Sequence, residues 1–311
     1  MIYWRSREGL APPLSAAYFI SPFQGPQIEL GQPIYRLPQP SNPIPVLQRI
    51  DSPNRDDWCK LVEHALQAIE KGSLQKVVLA RETTLILSQA PDPFAITAAL
   101  PSAGAALFCA KLSDTHSILG ASPERILRRS QNAICTEALA ATRKKGQSPE
   151  CFFHSDKARR EFQFVEDYCA ETLKPYCEES VVFTPLQIHS THTVDHLKTI
   201  GSALLSPTIS ERQALQALHP TPALCGTPKQ AALDWICAHE PFHRKFYGGY
   251  IGWSTPDQSD WMVVIRCCEL NGNIAKLYTG TGIVAGSDPA DEWDELEAKL
   301  SLYKDIFLWK R

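Results

Sequence analysis

The 311-residue sequence predicts an α+β fold whose sheets are mixed or antiparallel. Two observations carry that expectation. Stretches of strand character and stretches of helical character come in blocks, without the regular alternation that builds a doubly wound parallel sheet. A hydrophobic content of 44% supplies a large core, and the length suits one large domain or two ordinary ones.

The first 54 residues carry ten prolines, from Pro12 to Pro53. Such density excludes long helices and central strands and predicts an irregular lead-in with short edge strands. Over 56–71, Trp58, Leu61, Val62, Ala65, Leu66 and Ile69 recur at helical spacing, and Gly72 stops the run. Residues 76–87, 105–111 and 117–128 read as strands, the last broken by a turn at 121–124. Helical patterns cover 155–176, 211–218 and 227–239. Strand character returns over 248–253, 261–270 and 275–279, before a final helix predicted at 289–308. The sequence has no tandem repeat and no low-complexity segment.

A net charge of -3 gives no global attraction to nucleic acid or acidic membranes. Any anion binding is therefore local, and the expected partner is a small molecule, with no nucleic acid and no membrane. No run approaches the ~20 apolar residues of a spanning helix. The ten cysteines form no zinc-ribbon pattern and follow no cleavable signal, so they read as reduced and the protein as cytoplasmic. Cys267 and Cys268 are expected on opposite faces of one strand as packing residues.

Gly280-Thr281-Gly282 leads towards a helix in which Asp288 is suited to N-cap and Pro289 to the first turn. On that helix Glu292, Glu295 and Lys299 share one stripe, beside an apolar stripe of Trp293, Leu296, Leu300 and Phe307. Taken alone, Glu295 and Lys299 are equally an ordinary i,i+4 surface pair. The glycine pair shifts the reading towards a carboxylate site, because backbone N–H groups there can approach an anion closely.

Five further segments combine ionisable residues with special backbone chemistry. In 76–81, Lys76 shares a strand face with Val78 and Ala80, a setting that suits a general base, although a strand-end lysine is also commonly solvated. The turn 120–125 presents Glu124, a proton donor if buried and a surface partner of Arg125 if not. Small residues at 137–143 precede the hydroxyl of Thr142 and let a ligand ring approach the backbone. Glu161 lies within a helix, where an inward acid needs a cation or a paired base. Prolines and a glycine stiffen 218–229, so that Ala223 and Leu224 can form a pocket wall. His196 and His219 are lone histidines for which structural hydrogen bonding is the commoner role.

In order and wording these six segments resemble the chorismate-utilising enzymes, and among them the isochorismate synthases, over roughly residues 55–311. The resemblance implies an α/β fold: a single domain of large, mainly antiparallel sheets flanked by helices, with a deep cleft. Residues 1–54 would then be a lead-in within the same fold, and 55–311 the chorismate-binding catalytic domain. Lys76 is similar to the lysine that activates water, and Glu124 to the acid that protonates a departing hydroxyl. Glu161 and Glu295 resemble direct Mg²⁺ ligands, and Glu292 one acting partly through water. Tyr247 and Arg266 are similar to the residues holding the enolpyruvyl carboxylate; Gly280, Gly282 and Lys299 would hold the ring carboxylate. His196 would line the ring pocket.

The implied reaction adds water at ring carbon 2 of chorismate while the carbon 4 hydroxyl departs. Lys76 favours water over ammonia as nucleophile, and the wording of 220–224 favours isochorismate over salicylate as end product, with a weakly active chorismate-binding homologue as a further alternative. The pathway served, menaquinone or siderophore, is left open, and a monomer is expected. Three features depart from the family pattern: Ala141 stands where glycine is usual, Phe162 replaces a histidine after Glu161, and the N-terminal part is short, which predicts a trimmed sheet edge.

Overall fold

In the computed structural model, which describes residues 1–9 and 11–309, the lead-in forms β1 (Ile2–Arg5), β2 (Ala17–Ser21), β3 (Ile28–Leu30) and β4 (Ile44–Ser52). Next come α1 (Arg55–Glu70), β5 (Lys76–Leu87), α2 (Pro93–Ala99), β6 (Ala106–Lys111), β7 (His116–Ser122), β8 (Arg125–Ser130) and β9 (Ala133–Lys144). The middle of the chain holds α3 (Pro149–Phe153), α4 (Asp156–Leu173), β10 (Val182–Phe183), β11 (Gln187–Ser190), β12 (Val194–Leu204), α5 (Glu211–Leu218), β13 (Gly226–Thr227) and α6 (Lys229–His239). The last part contributes β14 (Tyr250–Ser254), β15 (Gln258–Val263), β16 (Cys267–Asn271), β17 (Ile274–Val284), α7 (Pro289–Leu300) and β18 (Phe307–Leu308).

Among the described residues the strands build two nine-stranded sheets. One runs β1-β6-β7-β16-β17-β5-β4-β18 with β13 on β5; the other runs β10-β12-β9-β8-β15-β14-β2-β3 with β11 on β12. The pairings are antiparallel apart from β18, which lies parallel to β4. The sheets face each other over a shared core in which Ala80, Phe108 and Cys267 of the first meet Ile20, Ile251 and Met262 of the second. On the outer faces, α4 and α5 pack on the second sheet, while α1, α6 and α7 pack on the first. Because β5 is covered on both faces, it is buried almost throughout and lacks the alternation of a half-exposed strand.

Helix starts follow local chemistry. The Asn54 side chain accepts from the Asp57 N–H, Ser155 from Ala158, and Asp288 from both Ala290 and Asp291. Ser210 and Gln213 complete a reciprocal capping box at α5.

Three expectations need correction. The final helix stops at Leu300, a short 3₁₀ turn follows, and Phe307 lies in β18 instead of on the apolar helical stripe. The strand expected over 261–270 is two strands in different sheets, and the chain changes sheet at Arg266, whose φ is 49°. The lead-in supplies a nine-residue strand, β4, which pairs on both sides. Cys267 and Cys268 do point into different cores, as alternation requires. No helix among the described residues is long and apolar enough to cross a membrane.

Candidate active site

Both sheets contribute to one cleft. β5 and β17 form one wall and β9 and β12 the other, with Glu161 of α4 and Lys299 of α7 reaching in. Glu124, Thr142, Glu161, His196, Ala223, Leu224, Tyr247, Arg266, Gly280, Gly282 and Lys299 all line it. Lys76, Glu292 and Glu295 do not; each lies one contact behind the lining.

Lys76 begins β5 yet is only 1% exposed, so the solvated strand-end lysine is not what forms. Its Nζ lies 3.2 Å from Glu161 Oε1, directly beneath Gly282. A Cβ on Gly282 would run into that Glu161 oxygen and come within 2.8 Å of Lys76 Cε. One on Gly280 would strike the Tyr247 hydroxyl. The two glycines therefore also make room for side chains that cross the strand.

Glu124 sits in the turn between β7 and β8, 3% exposed. Arg125 does not neutralise it, being occupied by Asp260, Glu8 and Glu137. Burial, aided by the Glu137 charge, pushes the Glu124 carboxyl up to about 8, against the opposing influence of Lys76, Thr221 and Lys299. The shift favours the protonated carboxyl at neutral pH, the state that a proton donor requires.

Ala141 is the extra residue of a β-bulge. His196 pairs with Thr142 and Leu197 with Ala140, which leaves Ala141 unopposed at φ 56°. This left-handed backbone is the position that favours glycine. The bulge turns the Ala141 carbonyl towards His196, whose Nδ1 donates to it at 2.8 Å. His196 Nε2 is then an acceptor, and the Arg266 guanidinium donates to it at 3.0 Å. Burial, with the Arg266 charge, pushes the imidazole well below its ordinary range and keeps it neutral. Burial likewise draws Arg266 down to about 10. Its carbonyl receives the Tyr303 hydroxyl at 2.9 Å, which fixes the residue at the sheet switch. His196 is thus a holder of Arg266 as well as a lining residue. His219 remains structural: its Nε2 donates to the Phe23 carbonyl, and it lies outside the cleft.

The three acids expected to bind metal are each engaged by a lysine. Glu161 meets Lys76, Glu292 Oε1 accepts from Lys157 at 2.8 Å, and Glu295 Oε1 accepts from Lys299 at 2.5 Å. Thr281 donates to Glu292 at 2.5 Å, and Lys299 also donates to the Gly280 carbonyl at 2.8 Å. Among the described residues no three His, Cys, Asp or Glu side chains converge closely enough to hold a metal. The donor chemistry nevertheless fits a hard divalent cation: besides the lysine each one pairs with, Glu292, Glu161 and Glu295 all act on the Lys157 ammonium, so the three oxygen-donor acids lie around one region. Lys157 and Thr281 were not singled out from the sequence, although Lys157 precedes Glu161 by one helical turn and Thr281 stands between the two glycines.

Residues 29–306 match the family described as chorismate binding enzyme. The chain is 34% identical over 296 residues to isochorismate synthase 2, chloroplastic, of Arabidopsis thaliana, covering 91% of this chain and 53% of that protein. It is 34% identical over 256 residues to the isochorismate synthase MenF of Escherichia coli, covering 79% of this chain and 59% of the relative. The chain thus spans between half and two thirds of the length of these curated relatives. The solved structure of MenF, the menaquinone-specific isochorismate synthase from Escherichia coli, superposes with a TM-score of 0.85 at 25% identity, covering 98% of this chain and 88% of that one. With residues 29–306 matched and the fold superposing over 98% of its length, the chain belongs to the chorismate binding enzyme family.

Proposed function

We propose that the protein converts chorismate to isochorismate, the activity that the matched relatives' names carry. The observation that carries the reading is a buried carboxyl raised to about 8 in a cleft that also holds Arg266 and Lys299, with the buried Lys76 directly behind its lining at Glu161 and Gly282. A dianionic ring acid needs two such cationic holds, and the isomerisation needs a base and a proton donor together.

In this reading Lys76, once its own proton has passed to solvent, accepts a proton from the water that adds at carbon 2. Glu124 gives its proton to the hydroxyl leaving carbon 4, which departs as water while the ring double bonds shift. The ring is neither oxidised nor reduced. Each turnover leaves Lys76 with an added proton and Glu124 ionised, so the two exchange protons with solvent before the next cycle. Arg266, steadied by His196, and Tyr247 hold the enolpyruvyl carboxylate; Lys299, with the strand at Gly280 and Gly282, receives the ring carboxylate. Ala223, Leu224 and Thr142 bound the ring.

Glu161 and Glu295, with Glu292 through water, would hold Mg²⁺. When bound, the ion supplies positive charge against the ring carboxylate. The ten free cysteines support a reducing, cytoplasmic setting.

Lys76→Ala and Glu124→Gln test the assignment. Each is expected to lower kcat by about 10²- to 10⁴-fold while chorismate binding, followed by calorimetry, changes little. Turnover within about tenfold of the parent in either variant would remove that residue from its role.

A further inference from the structure

The acid at Glu124 is held by a buried ionic cluster to which the lead-in contributes. We propose that Arg7 and Glu137 are positioning residues for Glu124, because they grip the two peptide groups on either side of it. Arg7 Nη1 donates to the Pro123 carbonyl at 3.1 Å, and Glu137 Oε2 accepts from the Arg125 N–H at 3.4 Å. Arg7 and Glu137 are joined to each other through two contacts, one of 2.9 Å. The inference rests on the reading of Glu124 as the proton donor.

The cluster is larger than this pair and balanced in charge. Lys198 Nζ lies 3.0 Å and Arg125 Nη1 3.2 Å from Glu137 Oε1, while Arg125 also meets Asp260 at 2.7 Å and Glu8 at 2.9 Å. Three cations thus face three acids, and β8, β9, β12 and β15 are tied to the segment that follows β1. Burying so many charges costs several kcal/mol per ion unless their geometry is well satisfied, and replacing such clusters by apolar residues is often neutral or stabilising. The network, centred on Glu137 and Arg125, also reaches both peptide groups that flank Glu124, which a purely structural purpose does not require. Burial alone would raise the Glu137 carboxyl, but Arg7, Lys198 and Arg125 bring it down to about 2, so it stays ionised. Its charge adds to burial in keeping Glu124 protonated. The other groups facing Glu124 are Lys76 of β5, Lys299 of α7, Arg266, the Thr221 hydroxyl and the Cys169 thiol of α4.

The test is the pH dependence of kcat and KM for chorismate turnover by the full chain carrying Arg7→Ala, Arg7→Lys or Glu137→Gln, with thermal melting as the fold control. Arg7→Ala is expected to lower kcat roughly ten- to a hundredfold with KM within about twofold. It removes a cation, so the alkaline limb should move up by about half a pH unit or more; Glu137→Gln removes an anion and should move it down. Arg7→Lys should recover much of kcat. A role in stability alone would lower the melting temperature and leave the limb in place, and that outcome overturns the proposal. Should Glu137→Gln fail to fold, the Arg7→Ala and Arg7→Lys pair decides it. Glu124→Gln separates the two levels. Abolished turnover there with unmoved limbs in the Arg7 variants refutes only the positioning role, whereas full turnover refutes the acid itself.

Discussion

At Glu124 the burial that raises its carboxyl also makes stability depend on pH. A free glutamate titrates near 4.3 and this one at about 8, so the folded state holds the proton more tightly than the unfolded state. The stability contributed by the protonated form is complete below about pH 4 and is lost as pH rises through 8, at no more than about 1.4 kcal/mol per unit. Glu124→Gln cannot ionise, so its melting temperature should exceed that of the parent by a margin that widens from pH 5 to pH 8 and then levels off. A constant margin would show that Glu124 is ionised throughout. At Ala141 the φ of 56° strains a residue with a Cβ. Ala141→Gly should raise stability by roughly 1 kcal/mol in denaturant titration, and a loss of stability would mean that the Cβ contact outweighs the strain. The residue types at both positions were readable from the sequence. The burial of Lys76, the placement of Arg7 against the acid's backbone and the use of His196 to steady Arg266 were not, because each depends on a partner distant in sequence.

α7 shows how far local signals reach. Asp288, Pro289 and the Glu292–Glu295–Lys299 stripe were legible and the helix starts where they place it. Its end was misread, because hydrophobic spacing continues through Leu302, Ile306 and Phe307 while tertiary pairing with β4 draws Phe307–Leu308 into a strand. The segment 261–270 failed for a related reason: both halves have strand composition, and only the left-handed turn at Arg266 divides them between sheets. The strands β9 and β12 escaped notice as elements, since small residues and a bulge blur their alternation. Because Asp288 satisfies two N–H groups at the start of the helix that carries Glu292 and Glu295, Asp288→Ala should cost about 1 kcal/mol in thermal unfolding. An unchanged melting temperature would show that packing of Trp293 and Leu296 alone fixes the helix.

On the scale of the whole molecule, blocks of strands and helices were enough to indicate α+β architecture with mixed or antiparallel sheets. The division into two facing sheets was not legible, because strands adjacent in sequence, such as β15 and β16 or β7 and β8, belong to different sheets. That division makes the cleft: Glu124 and Arg266 both stand at crossings between the sheets, opposite the glycines of β17. Glu161, Glu292 and Glu295 are paired with Lys76, Lys157 and Lys299, and under the proposed function Mg²⁺ would take over part of that pairing. Chelation of Mg²⁺ should therefore abolish turnover and readdition restore it; a rate indifferent to chelator would leave the carboxylates to their lysine partners alone. The reaction is checked by incubating the purified chain with chorismate and Mg²⁺ and resolving the products by chromatography and NMR. An equilibrium mixture of chorismate and isochorismate without pyruvate is expected. Salicylate accompanied by equal pyruvate, or chorismate bound and returned unchanged, would contradict it.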